Sequence, residues 1–227
     1  PTNELEADYA KLRSLRGKID LALMESTNAS KTGKAPSETE IFANLENIIK
    51  DANGRVIVAA FSSLLTRLYA LFEIAKRTNR KIVISGRSLQ ETISIASKQG
   101  YIKIPEGLVI KEKDIQKYSD NQLLLLCTGS QGERFSSLNR ISLSEHKYIK
   151  IKKGDLVIMS SSEIPENVSA IEKMTDRLIA LGADLIKDTI EVKIHSTGHG
   201  NQDDMKIMFD LIQPKVVMPV HGPLTFR

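Results

Sequence analysis

Three of the four histidines in this 227-residue chain fall in roughly its last thirty residues. Two of them bracket the segment His195-Ser196-Thr197-Gly198-His199. On a helix, positions i and i+4 would share one face and could ligate a metal together. Gly198 and Gly200 argue against a helix, so the segment reads as a strand-to-helix loop. Its N–H groups and two hydroxyls can hold a phosphate, and the His199 imidazole at its tip can protonate a leaving oxygen. His221 closes Pro219-Val220-His221-Gly222, a strand-end imidazole beside an unencumbered residue, which suits a metal ligand. Each histidine taken alone is more simply a loop residue with ordinary hydrogen bonds. The constellation, with glycine beside two of them, favours phosphate and metal chemistry. His146 lies in the polar text Ser144-Glu145-His146-Lys147 and is predicted to be exposed.

The elements that must position these groups alternate between helix and strand. Leu5, Leu12 and Leu15 space an opening helix, and 19–24 reads as a strand followed by a polar loop over 26–34. Ser37 with Glu40 forms a capping-box pattern for a helix running to about Asp51. Further strands are predicted at 55–60, 81–84, 123–127, 156–159, near Leu185, at 190–194 and at 216–220. The helices between them include the one bearing Leu64, Leu65, Leu68, Leu71 and Phe72, then 88–99, 167–181 and 202–212. The stretch 103–121 is the least regular and is expected to leave the sheet. This alternation predicts an α/β fold with a mainly parallel sheet flanked by helices on both faces.

Four of these strands run into small hydroxyl residues or glycines: Phe61-Ser62-Ser63, Gly86-Arg87-Ser88, Thr128-Gly129-Ser130-Gln131-Gly132 and Ser160-Ser161-Ser162. Ligands of open α/β sheets bind outside the carboxyl ends of the strands, where such loops offer backbone N–H groups to phosphate. No G-x-G-x-x-G follows a strand and no P-loop lysine is present, which argues against a nucleotide-cofactor enzyme. The single Cys127 excludes an internal disulfide and, at the end of an apolar run, is expected to be a buried hydrophobe. A net charge of +4 permits a polyanionic partner without requiring one. Tryptophan is absent and aromatics are few, which disfavours a stacking-platform binder of single strands. The longest apolar run is too short to span a bilayer. No signal peptide is visible, and the single cysteine fits an expected cytoplasmic location. The start at Pro1 suggests a fragment.

His-x-Ser/Thr-Gly-His, about twenty residues of helix and strand, then Pro-Val-His-Gly is similar to the closing motifs of metallo-β-lactamase nucleases with a β-CASP insert. Within them the chain resembles the ribonuclease J family. Leu23-Met24-Glu25-Ser26-Thr27-Asn28, Ser37-Glu38, Val58-Ala59-Ala60-Phe61-Ser62-Ser63, Gly86-Arg87-Ser88, Cys127-Thr128-Gly129-Ser130-Gln131-Gly132-Glu133 and Ser160-Ser161-Ser162 with Ile164-Pro165 have counterparts there.

The resemblance implies a Rossmann-like β-CASP domain over 35–200, with 1–34 and 201–227 belonging to a metallo-β-lactamase core. It implies a ribonuclease using two metal ions, usually zinc, with manganese or magnesium as alternatives. The reaction would be 5′-to-3′ exonucleolytic, with endonucleolytic cleavage as a second mode, on single-stranded RNA bearing a 5′ monophosphate. Homo-oligomers of the full-length protein and no membrane partner are expected. Carried over by position, Glu25 and His221 would ligate metal and His199 would contact the scissile phosphate. Glu38 would support the site as its acidic residue. Ser196, Thr197 and Gly198 would line the phosphate, with Ser63 and Ser130 as further substrate contacts. Glu25 stands where the family usually has aspartate, Pro223 where it has glutamate, and Leu64 where asparagine is common. The family's His-x-His-x-Asp-His motif is absent from this sequence. Two metal ligands are too few for catalysis, so the chain alone is expected to bind metal weakly and to be inactive. The alternative is a non-catalytic RNA-binding or assembly module, distinguished by whether that upstream motif is intact.

Overall fold

The computed structural model describes residues 7–189, 192–222 and 224–226. Its contacts divide into two compact units, one from the segments up to Ser37 and from Ser196 onward, the other from Glu38–His195.

In the first unit, β1 (Leu21–Glu25) pairs in parallel with β8 (Val216–Val220). Alternation along the strands divides their side chains between two faces. Ala22 and Met24 pack with Leu211 and Ile212 of α7 (Gln202–Ile212), and with Leu12 of α1 (Tyr9–Ser14). The residues between them, Leu21, Leu23, Val216 and Met218, are exposed. At the start of α7, Asp204 Oδ2 accepts the Asn201 N–H at 3.0 Å, which satisfies a donor that a helix start leaves unpaired. Leu5 of the predicted opening helix lies outside the described residues.

The second unit is a six-stranded sheet in the order β4-β3-β5-β2-β6-β7, parallel throughout. Its strands are β2 (Val56–Ala60), β3 (Lys81–Ser85), β4 (Val109–Ile110), β5 (Leu123–Cys127), β6 (Leu156–Ser160) and β7 (Asp184–Ile186). The central β2 and β5 are buried along their whole length, as continuous apolar runs require in a sheet covered on both sides. One face packs on α2 (Glu38–Asp51), α3 (Leu65–Arg77) and α4 (Arg87–Lys98), with Val58, Ile82, Leu124 and Ile158 meeting Ile41, Leu45, Phe72 and Leu89. The other face, with Ile57, Leu125, Cys127 and Val157, packs on α5 (Ser137–Ser142) and α6 (Val168–Ala180). The predicted sheet with helices on both faces is therefore present.

Two local expectations are corrected and a third is narrowed. The stretch 103–121 leaves the sheet except at Val109 and Ile110, which pair with Ile82 and Val83 to form its edge. Residues 192–194 carry no strand, and residues 190–191 of that predicted strand lie outside the described residues. Side chains have taken the Ile194 backbone groups: Asp188 Oδ1 accepts its N–H at 2.8 Å, and its carbonyl accepts from Arg67 Nη1 at 2.8 Å and Ser160 Oγ at 2.7 Å. His146 is buried rather than exposed, at 5% accessibility. Its Nδ1 accepts the N–H groups of Tyr148 (3.3 Å) and Ile149 (3.1 Å), and its Nε2 lies 3.1 Å from Ser85 Oγ. A locally polar stretch has folded inward because three partners satisfy the ring.

Candidate metal and phosphate site

Within the first unit, the β1–β8 pairing places Glu25 opposite Val220, so the carboxylate and His221 arrive at the same strand ends. The loop ahead of α7 adds His199. Ligand atoms of Glu25, His199 and His221 all lie within 4.8 Å of one another. The two imidazole centroids are 5.3 Å apart. A carboxylate and two imidazoles converging at this distance form a donor set that fits a divalent cation such as zinc. His199 thus stands beside the two expected ligand positions, Glu25 and His221.

The protonation pattern of this trio follows from its hydrogen bonds. Glu25 Oε2 accepts from His199 Nδ1, and Oε1 accepts the Gly200 N–H at 3.0 Å. Nδ1 of His199 therefore carries the proton, and Nε2 is left to face a metal or a substrate oxygen. Thr27 Oγ1 donates its single proton to the His221 carbonyl and lies 3.2 Å from His221 Nδ1. It can only accept from that nitrogen, so Nε2 of His221 is again the free lone pair. Partial burial alone would raise the Glu25 pKa. The bonds from His199 and Gly200, with the nearby charges of His199 and His221, outweigh it and hold the carboxyl below its ordinary range.

The loop carrying His199 is irregular, as its glycines predicted. Asn28, buried behind it, donates to the His199 carbonyl at 3.0 Å and reaches Thr197 Oγ1 at 3.5 Å. The same Thr197 hydroxyl accepts the His199 N–H at 3.2 Å. Ser196 Oγ donates to the Pro36 carbonyl at 2.6 Å, so its hydroxyl braces the loop. A side chain at Gly198 would meet nothing within 4 Å, which leaves its backbone open to an approaching ligand. Gly222 is different: a Cβ there would stand 2.4 Å from Ser26 Oγ. Thr27 and Asn28 hold this site in roles that the sequence alone does not mark. Their only signal in the sequence is their position immediately after the candidate ligand Glu25.

In the second unit, Glu38 is held by Arg67, with Nη2 to Oε1 at 2.9 Å and Nε to Oε2 at 3.2 Å. Arg67 is fully buried and also bonds Ser160 and the Ile194 carbonyl. Removing Glu38 would leave a buried guanidinium short of its partner, at a cost of roughly 3–5 kcal/mol. That magnitude makes Glu38 a structural support for the chain around Ile194 and His195. His195 packs edge-on to Phe61, with centroids 6.1 Å apart, and its Nδ1 is buried without a partner among the described residues. Burial lowers its pKa, the Arg67 charge adds to that, and Asp188 and Glu38 oppose it.

The four small-residue loops do lie on one edge, because β3, β5, β2 and β6 are adjacent and parallel. Ser63 is exposed in the turn after β2. Ser130 is buried and lines a cleft of about 470 Å³ with Ser161, Ser162, Lys187 and Asp188. Gln131 ties two of these loops together, donating to the Ser162 carbonyl at 2.7 Å and accepting the Ile164 N–H at 3.1 Å.

Residues 53–178 match the family model described as ribonuclease J, beta-CASP domain. The chain is 39% identical over 223 residues to a ribonuclease J of Helicobacter pylori, covering 98% of this chain and 32% of that protein. It is 36% identical over 204 residues to one from Mycoplasma genitalium, covering 90% and 36%. A ribonuclease J from Synechocystis is 40% identical over 200 residues, covering 88% and 31%. The chain thus spans about a third of the length of the curated relatives it matches.

Proposed function

The chain belongs to the ribonuclease J family, whose β-CASP domain it carries, and from that premise we propose that its parent protein is a metal-dependent ribonuclease. The substrate is single-stranded RNA with a 5′ monophosphate. Degradation runs 5′ to 3′, with internal cleavage as a second mode, in cytoplasmic RNA processing and decay. Residues 35–200 are the RNA-gripping domain, and the flanks 1–34 and 201–227 are parts of a metallo-β-lactamase core. The full-length protein is a homo-oligomer.

The observation that carries this reading is the convergence of Glu25, His199 and His221 on one point. Glu25 and His221 are the candidate ligands for one of two zinc ions, with manganese or magnesium as substitutes. Bound cations would supply Lewis-acid charge and a water of lowered pKa for hydrolysis of the phosphodiester. This chain's residues supply the rest. Glu25 orients His199 through Nδ1 so that Nε2 addresses the scissile phosphate, and its carboxylate stabilises the imidazolium, whose second proton sits on Nε2 and passes to the leaving oxygen. The N–H groups around Gly198 and the Thr197 hydroxyl line that phosphate, on a loop that Ser196 and Asn28 hold in place. Ser63 and Ser130 contact the strand through the rim of the sheet. Glu38 keeps Arg67 and the chain leading to His195 in place. Backbone contacts of this kind suit weak sequence preference.

The test compares the full-length parent with its His199→Ala variant on 5′-monophosphate RNA with zinc or manganese. The expected loss is about 10²–10⁴-fold in cleavage rate with binding retained. Equal rates would remove His199 from the chemistry. The 227-residue chain alone should bind RNA weakly and salt-dependently without cutting it.

A further inference from the structure

The edge of the six-stranded sheet carries two adjacent clefts that share no residue with the groups assigned above. Lys111 and Lys113, just beyond β4, stand between them and line both. One cleft, of about 400 Å³, has Tyr148 and Glu112 in its wall; the other, of about 480 Å³, has Tyr118 and the ion pair of Lys117 with Asp114 at 2.7 Å. Both volumes fall in the range of small-ligand sites. The wall of the first is fixed from behind. Ser85 Oγ donates to Glu112 Oε1 at 2.6 Å, and His146 Nε2 lies 3.5 Å from the same oxygen. His146 also holds the N–H of Tyr148, so the carboxylate and the aromatic ring are set by one buried hub. Tyr148 is 37% exposed, and the Lys147 ammonium lies 5.0 Å from its ring centroid.

We propose that this ridge binds two successive nucleotides of single-stranded RNA. One base stacks on Tyr148, the next on Tyr118, and the phosphate between them lies against Lys111 and Lys113. Every base has a π-face that a tyrosine can stack on, and the lysines answer the backbone charge. Glu112 sets a preference in the first cleft. A fixed carboxylate repels phosphate and carbonyl oxygens and accepts N–H donors, so it selects a base with an exocyclic amine over uracil, whose edge places two carbonyls around one N–H. The inference rests on RNA being the polymer that the parent handles. It adds an anchoring surface held within residues Lys81 to Tyr148, apart from the residues that would do the chemistry.

The test is an NMR titration of the ¹⁵N-labelled chain with 5′-phosphorylated oligoadenylate of five residues, beside oligouridylate of equal length and free AMP. Expected are amide shifts at Val109–Lys113, Tyr118 and Tyr148, with oligoadenylate binding more tightly than oligouridylate. Lys111→Glu with Lys113→Glu, a surface change, should weaken oligoadenylate roughly tenfold or more and flatten its salt dependence. Tyr148→Leu should weaken it roughly tenfold or more by loss of stacking, at unchanged dispersion of the spectrum. Shifts confined to the loops bearing Ser63, Ser130 and Thr197 would overturn the ridge while leaving the nuclease reading intact. Equal binding of oligouridylate would overturn the role of Glu112. Binding of AMP as tight as the pentamer, with Tyr118 silent, would make this a mononucleotide pocket and overturn the strand path.

Discussion

At the scale of single residues, the metal-side chemistry depends on which nitrogen of each imidazole is bare. Thr27 decides this for His221, because its one hydroxyl proton goes to the backbone carbonyl and its oxygen is left to accept from Nδ1. Partners of this kind orient a ligating imidazole, and their loss typically costs about ten- to a hundredfold in metal affinity. Thr27→Val keeps the side-chain shape and removes both contacts. In the full-length parent it is expected to weaken zinc binding by about ten- to a hundredfold, read by competition with a chromogenic chelator. Unchanged affinity would mean that His221 needs no partner at Nδ1. The sequence marked His199 and His221 because glycine beside an imidazole is visible in one dimension. It could not mark Thr27 and Asn28 by role, since their partners lie 194 and 171 residues away and meet them only through the β1–β8 pairing. His146 failed the other way: its neighbours in sequence are polar, while its neighbours in space are Ser85, Glu112 and two backbone amides.

At the scale of elements, what the sequence made legible were the runs whose length and apolarity leave one solution. Leu123–Cys127 and Val56–Ala60 are too short for helices and too apolar for a one-sided sheet, and they became the buried centre. The edge was harder to read. β4 contributes only two residues, and the six-residue α5 falls short of two helical turns. Close packing between elements leaves its mark at glycines. Gly132 has φ +70°, and a Cβ there would stand 2.8 Å from the backbone carbon of Ala170 in α6. Gly107 has nearly the same φ, +72°, with nothing within 4 Å. Both alanine variants carry the cost of a left-handed conformation. Only Gly132→Ala adds overpacking against a rigid helix backbone, worth about 1–3 kcal/mol. Urea denaturation should therefore show Gly132→Ala less stable than Gly107→Ala by that margin. Equal midpoints would mean that α6 moves aside at no cost.

At the scale of the whole molecule, the two units differ in how completely each buries its own apolar surface. The second encloses an apolar cluster on each face of its sheet, one of them with Leu45, Phe72 and Leu126, the other with Leu125, Leu138 and Met174. The first has a small cluster of buried residues, Ala22, Leu211 and Ile212, which keep 8–9% exposure. Its sheet has two strands, which by themselves are marginal in water. One face of that sheet leaves Leu21, Leu23, Val216 and Met218 at 52%, 62%, 56% and 54% exposure. Four large apolar side chains in register on one face form a surface that globular chains normally cover. The relatives, of which this chain spans about a third, carry the additional chain that could cover it. Amide hydrogen exchange reads this directly, because protection follows the local free energy of opening. In the 227-residue chain, β1 and β8 should exchange roughly tenfold or more faster than β2 and β5. In the full-length parent that gap should narrow, with β1 and β8 gaining protection while β2 and β5 stay as they are. If β1 and β8 were as slow in this chain as in the parent, the exposed face would need no cover, and the assignment of these flanks to a larger core would fail.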